Sequence, residues 1–222
     1  MKTYTLGTRR YHAHVPRKLG KSHALVVALH AGTQTPEGFE RMTGWSTLAT
    51  REKFVVVYPE GIGRSWNAGN GALGYAGRAG VDDVGLLLAV LRDCITRYAI
   101  GDRLLVSGFS NGSMLAHAFA EHATGFVTAI AGVAGGFSRL PVDGVIAVPA
   151  VRMVHGTQDT HVPFMGGVGP DALDPYDHLP IEQTASWWRG QGADVHTIWH
   201  SGGHEWRAGE AEEQWAWFRG IK

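Results

Sequence analysis

Two hydrophobic patterns alternate along this chain. Short unbroken apolar runs, the length of strands buried on both faces, occupy Ala24–Leu29, Phe54–Tyr58, Arg103–Ser107, Val127–Val133, Val151–His155 and Val195–Trp199. Between them the spacing turns helical. Val84, Leu87, Leu88, Leu91, Cys94 and Ile95 share one helical face, with Asp82 and Asp83 suited to the helix start. Residues 112–123, 181–190 and 209–219 are further predicted helices. Ahead of all these, segments 3–8 and 10–15 are short and β-prone, and the turn near Gly7–Arg9 predicts an antiparallel hairpin. Strand alternating with helix predicts an α/β fold, a mostly parallel central sheet with helices on both faces. A length of 222 residues predicts one domain, 1–222.

Composition narrows the classes. A chain that is 44% hydrophobic with eight tryptophans is not a disordered one. Surface scaling for this length leaves roughly 9,900 Å² exposed after folding, about 30% of the unfolded surface, so the core needs no disulfide or metal. Twenty basic and twenty acidic side chains cancel, which removes the electrostatic footprint of a general nucleic-acid binder. Arg9, Arg10, Arg17, Lys18 and Lys21 come nearest to a basic patch and read as a solvated hairpin surface. The single cysteine, Cys94, has no internal partner and is expected to be a small buried hydrophobe. No apolar run approaches the ~18 residues of a membrane span. Met1–Thr5 lack the apolar stretch of a signal peptide. The expectation is a cytoplasmic protein, or a secreted one whose leader has been removed.

In open parallel sheets reactive groups gather at the carboxyl ends of the strands. After the run ending at Ser107 comes Gly108-Phe109-Ser110-Asn111-Gly112 and then a helix, the G-x-S-x-G pattern in its strand–turn–helix setting. A sharp turn presents Ser110 outward, and the positions two before and two after must be almost free of side chain. Ser107 and Ser113 are neighbouring serines, but neither is centred between two glycines. A serine nucleophile needs a base, and the base an orienting acid, in the chain order Ser, Asp or Glu, His. Asp159 follows the run 151–155, and His204 follows the run 195–199 behind Gly202-Gly203. Asp171, Asp174 and Asp177 sit in a Pro/Gly-rich loop and read as local turn formers. Asp143 precedes a strand, and His200 has not cleared its strand end. His155, His161 and His196 lack metal-ligand spacing, so no metal is predicted. For the oxyanion the expected donors are the Asn111 amide and one from the loop after Leu29, with Gly32 chosen and Ala31 and Thr33 as alternatives. His30 is expected to be scaffold.

Taken together, these residues resemble the polyhydroxybutyrate-depolymerase and feruloyl-esterase-like group of the α/β-hydrolases, from about residue 10 to the end. The resemblance rests on Leu29-His30 with Thr33-Gln34, Val57-Tyr58-Pro59-Glu60-Gly61, Ser65-Trp66-Asn67 and Val81-Asp82-Asp83-Val84. It continues through Gly108 to Gly112, His155-Gly156 to Asp159, and Gly202-Gly203-His204 with Trp206. It implies a serine ester hydrolase with no cofactor and no large lid, acting on aryl or alkyl esters, hydroxycinnamoyl groups or polyester chains. The family usually reads Leu-His-Gly-Cys where this chain has Leu29-His30-Ala31-Gly32. A backbone donor survives that change. Trp66 and Trp206 are expected to stack an aromatic acyl group, and Phe164 with Met165 to form an apolar wall. Activity should decline as pH falls through the histidine range, near ~6.5 for an unperturbed group. The rival functions are a serine peptidase or amidase, and an inactive hydrolase fold that binds an ester-like ligand.

Overall fold

A computed structural model describes residues 1–19, 23–69, 71, 73–123, 125–141, 145 and 147–221. Lys21 and Asp143 lie outside the described residues. The hairpin forms as predicted, β1 (Lys2–Leu6) against β2 (Arg9–His14), with Gly7 left-handed at φ 59° in the turn. The buried runs become β3 (His23–Leu29), β4 (Val55–Pro59), β5 (Ile100–Phe109), β6 (Ala129–Val133), β7 (Ala150–Gly156) and β8 (Val195–His200). They join one eight-stranded sheet in the order β1-β2-β4-β3-β5-β6-β7-β8. Only the β1–β2 and β2–β4 pairs are antiparallel.

Alternate residues of the apolar runs feed two cores, one on each face. Leu25, Val27 and Leu29 of β3 point into a core shared with α4 (Asp83–Tyr98), α5 (Asn111–His122) and α6 (Ile181–Gly190). Val26 and Ala28 enter the opposite core with α1 (Pro36–Thr43), α2 (Trp45–Glu52) and α7 (Glu210–Gly220). A strand covered on both faces has no polar side, and the unbroken runs follow from that. The exposed surface, 9665 Å², lies close to the scaling expectation.

Three short helices escape the periodicity: α1, α2 and α3 (Gly74–Arg78). The signal for α1 was local. Thr35 caps it by accepting from the Gly38 amide at 3.2 Å, and Pro36 starts the first turn. Asp82 caps α4 through the Gly85 amide at 2.7 Å. Asp83 is instead buried, bonded to Arg9 at 2.6 Å and to the Asn67 amide at 2.7 Å. Cys94 is fully buried, and burial pushes its thiol up to about 12. Among the described residues no helix is long and apolar enough to cross a membrane.

Candidate active site

The central strand β5 ends at Phe109, and α5 begins two residues later. Ser110 makes the corner at φ 54°, ψ −121°. Its amide donates to Val133 O at 2.8 Å and its carbonyl accepts from the Met114 amide at 3.0 Å, which holds the strained turn in place. The flanking glycines are required by contact. A Cβ on Gly108 would lie 2.3 Å from Gly112 O, and one on Gly112 would lie 2.3 Å from Leu29 O. The neighbouring serines have other work. Ser107 Oγ donates to Gln214 at 2.7 Å and Ser113 Oγ to Gly135 O at 2.8 Å, both fully buried.

The turns after β7 and β8 are tied together: Thr157 N donates to His200 O at 2.7 Å and Gln158 N to Gly202 O at 3.1 Å. That link sets Asp159 against His204. Asp159 Oδ1 accepts from the His161 and Val162 amides, both at 2.8 Å. Its Oδ2 lies 2.7 Å from His204 Nδ1, and since an ionised carboxylate only accepts, Nδ1 carries the proton. Nε2 of His204 is thereby left as the basic nitrogen. Burial pushes the Asp159 carboxyl up, but the His204 hydrogen bond and charge outweigh it and leave the group below its ordinary value. Phe109 lies against the His204 ring at 5.1 Å and His161 stacks on it at 4.8 Å.

The loop after β3 is organised by His30. Nδ1 donates to Ala31 O at 2.8 Å while Nε2 accepts from the Gly61 amide at 3.1 Å, a pattern that only the neutral ring satisfies. Burial agrees, pushing this group down to about 4. In the same loop the Ala31 amide donates to Gln34 Oε1, the Gln34 amide to Ala31 O and the Thr33 amide to Arg64 O. The Gly32 amide has no partner among the described residues, and neither has the Asn111 amide. A Cβ on Gly32 would stand 3.9 Å from that of Asn111, so the two amides are close neighbours. The Asn111 side chain is occupied elsewhere, clamping the backbone of Trp66 through Oδ1 at 2.7 Å and Nδ2 at 3.1 Å.

Gly32, Ser110, Asn111 and His204 all line one cavity of about 610 Å³, with Asp159 behind His204. The predicted substrate contacts fall elsewhere. Trp66 is fully buried, its ring 4.6 Å from His30 and its Nε1 bonded to His30 O at 2.8 Å. Trp206 lies edge-on to Phe39 and Phe109, behind the cavity wall. Phe164 packs on His155 and Trp199. None of the three, nor Met165, lines the cavity. Its apolar wall is made by Leu73, Tyr75, Met114, Val162 and Leu173. Asp174, expected to shape a local turn, reaches across to the Gly74 amide at 2.7 Å and Arg78 at 2.8 Å, and so joins the loop 157–180 to α3. Asp174 and Arg78 stand 96 positions apart, and nothing local in the sequence announces that contact.

Among the described residues one set could offer atoms to a metal ion, Asp159, His161 and His204, whose candidate ligand atoms lie within 4.8 Å of one another. The Asp159–His204 hydrogen bond already occupies the nearest pair of those atoms.

Sheet order, crossover helices and the serine turn define an α/β-hydrolase. The comparisons narrow that class. No protein-family model matches the chain. It is 30% identical over 154 residues to the bifunctional acetylxylan esterase/xylanase XynS20E of Neocallimastix patriciarum, a match covering 68% of this chain and 21% of that protein. It is 44% identical over 54 residues to poly(3-hydroxyalkanoate) depolymerase C of Paucimonas lemoignei, covering 24% of this chain and 13% of that protein. The matches thus span about a fifth or less of the curated relatives' length. Among solved structures, an acetyl xylan esterase from Aspergillus awamori superposes with a TM-score of 0.71 over 98% of both chains at 19% identity. The Bacillus cereus carboxylesterase gives 0.70 over 97% of this chain and 96% of its own, at 14% identity. The chain has the α/β-hydrolase fold, and the proteins it resembles in sequence and in structure include esterases.

Proposed function

We propose that this chain is a serine carboxylic ester hydrolase that works through an acyl-enzyme. The observation that carries the reading is the 2.7 Å bond from His204 Nδ1 to a buried Asp159, on a histidine that shares its cavity with the strained Ser110. Ser110 Oγ attacks the ester carbonyl and its proton passes to His204 Nε2. The oxygen that gains charge is held by the Gly32 and Asn111 amides, which have no other partner among the described residues. The carbon–oxygen bond to the alcohol breaks, and His204 returns the proton to the departing oxygen. Water then enters, gives a proton to His204 and attacks the acyl group, and Ser110 leaves with that proton as the acid is freed. Asp159 fixes the imidazole tautomer and stabilises the imidazolium. Tyr75, Leu73 and Leu173 form the apolar wall for the ester chain, in place of the tryptophans.

The relatives' names bound the substrate: acetyl groups on xylan for one, a poly(3-hydroxyalkanoate) for another. Both are esters of small or linear acyl groups. A cavity of about 610 Å³ accommodates either, or a feruloyl group. The test is hydrolysis of p-nitrophenyl butyrate by the wild type beside Ser110→Ala, with the anilide of the same acid as amide control. Ester turnover that falls by about a million-fold in the variant is expected. Equal rates in both proteins would sink the proposal, and faster cleavage of the anilide would favour a peptidase.

A further inference from the structure

We propose that this cavity also recognises a free carboxylate carried by the ester substrate, and that Arg64 is the residue that binds it. The inference rests on the esterase reading of the same cavity. Two guanidinium groups line it, Arg64 and Arg78, against one carboxylate, Asp174. Asp174 is engaged by Arg78 and the Gly74 amide. Arg64 is different: its guanidinium makes no hydrogen bond or ion pair with any described residue. Glu60 is held by both nitrogens of the Arg10 fork at 2.9 Å, and Asp83 by Arg9 at 2.6 Å. Among the described residues the lining therefore holds one guanidinium without an ion-pair partner, that of Arg64.

The backbone under that charge is anchored. Arg64 sits at φ 56°, a left-handed conformation that long side chains rarely adopt. Its carbonyl accepts from the Thr33 amide at 2.7 Å and its amide donates to Gly61 O at 3.2 Å. Thr33 is itself left-handed, at φ 67°, and directly follows Gly32. The turn that carries the guanidinium and the loop that offers the oxyanion donor are thus one hydrogen-bonded unit. The Arg64 side chain is exposed at the cavity, and a planar fork there suits a carboxylate, which it can grip through two parallel hydrogen bonds.

The ligand class is an ester with a free carboxylate a short way along the chain from the scissile bond. Monoesters of dicarboxylic acids carry it on the acyl half, and short oligomers of hydroxy acids carry it on the alcohol half. Two substrate pairs separate these sources: mono-p-nitrophenyl glutarate against p-nitrophenyl butyrate, and the 3-hydroxybutyrate dimer against its methyl ester. For each pair the acid-to-neutral ratio of kcat/KM is measured after subtraction of spontaneous hydrolysis, in wild type, Arg64→Gln and Arg64→Lys. In one pair the ratio should be about tenfold lower in Arg64→Gln than in wild type, through KM, with part of it kept by Arg64→Lys. The wild-type ratio should also shrink as salt is raised. A fall in the glutarate pair places the carboxylate on the acyl side, and a fall in the dimer pair places it on the alcohol side. The same ratio in wild type and Arg64→Gln for both pairs overturns the inference. Neutral esters hydrolysed without that difference leave the esterase reading standing, whereas a wild type that hydrolyses none of the four overturns both.

Discussion

Ser110 holds a backbone conformation that costs a side-chain-bearing residue on the order of 1–3 kcal/mol. Its amide and carbonyl hydrogen bonds, together with the close packing of Gly108 and Gly112, keep it there. Such local steric demands leave a mark in sequence, which is why the serine turn could be read directly. The Asp159–His204 pair was legible for a related reason, since each follows a predicted strand. Trp66, Trp206 and Phe164 were not legible. Whether an aromatic ring faces a cavity or a core is decided by elements distant in sequence, here Asn111, Phe39 and Trp199. The proposed role of Asp159 can be tested with Asp159→Asn. The new amide oxygen would keep accepting from the His161 and Val162 amides, so its NH₂ group would face His204 Nδ1 and stabilise the wrong tautomer. Turnover of p-nitrophenyl butyrate should fall by about 10⁴, the scale seen for that change in a serine protease, with little loss of fold. A loss under about tenfold would show that Asp159 does not set the tautomer.

The elements holding the site are joined by buried polar contacts as well as apolar ones. Arg152 of β7 is 2% exposed and pairs with Glu210 and Glu213 of α7, the helix that follows the His204 loop. Glu210 is buried too and shares its Oε1 with Gln214. Replacing Arg152 with leucine would leave the buried Glu210 charge only the Gln214 amide and Arg207 at 3.8 Å, at a cost of about 3–5 kcal/mol. For a domain of this length that is a fall in Tm of about 6–20 °C, read by differential scanning calorimetry. A Tm within about 2 °C of wild type would contradict the role given to this pair. Long elements were the legible ones: α5, α6 and α7 begin and end within a residue of the predicted spans. The helices α1, α2 and α3 span eight, eight and five residues, too short for a 3.6-residue period to declare itself.

Across the whole molecule, buried histidines make stability depend on pH. Burial pushes His30 and His155 down to about 4 and His117 to about 3. Two of them also accept hydrogen bonds that a protonated ring would lose, His30 from Gly61 and His117 from the Trp188 indole at 3.0 Å. In the unfolded chain each takes up a proton near ~6.5. Between that value and the folded one the unfolded state binds more protons, so stability is full above the window and falls as pH drops through it. The loss is on the order of 3 kcal/mol for His30 and for His155, and about 5 kcal/mol for His117, once each window is crossed. Tm measured from about pH 7 down to about pH 4.5 should therefore decline steadily, and a constant Tm would contradict neutral burial of these rings. The α/β architecture itself was legible from the alternation of buried runs and helical segments, because a two-faced sheet imprints both periods on the chain. The cavity was not, because its wall is assembled in part from α3 and the loop 157–180, which are joined through Asp174.

The central claim is that Ser110, activated by His204, becomes acylated. Diisopropyl fluorophosphate tests this without any assumption about the natural ester. Intact-mass and peptide mapping should find one phosphoryl adduct per chain, on the peptide carrying Ser110, with labelling slowed by about 10³-fold or more in His204→Ala. An adduct on another residue, or equal labelling in wild type and His204→Ala, would contradict the account.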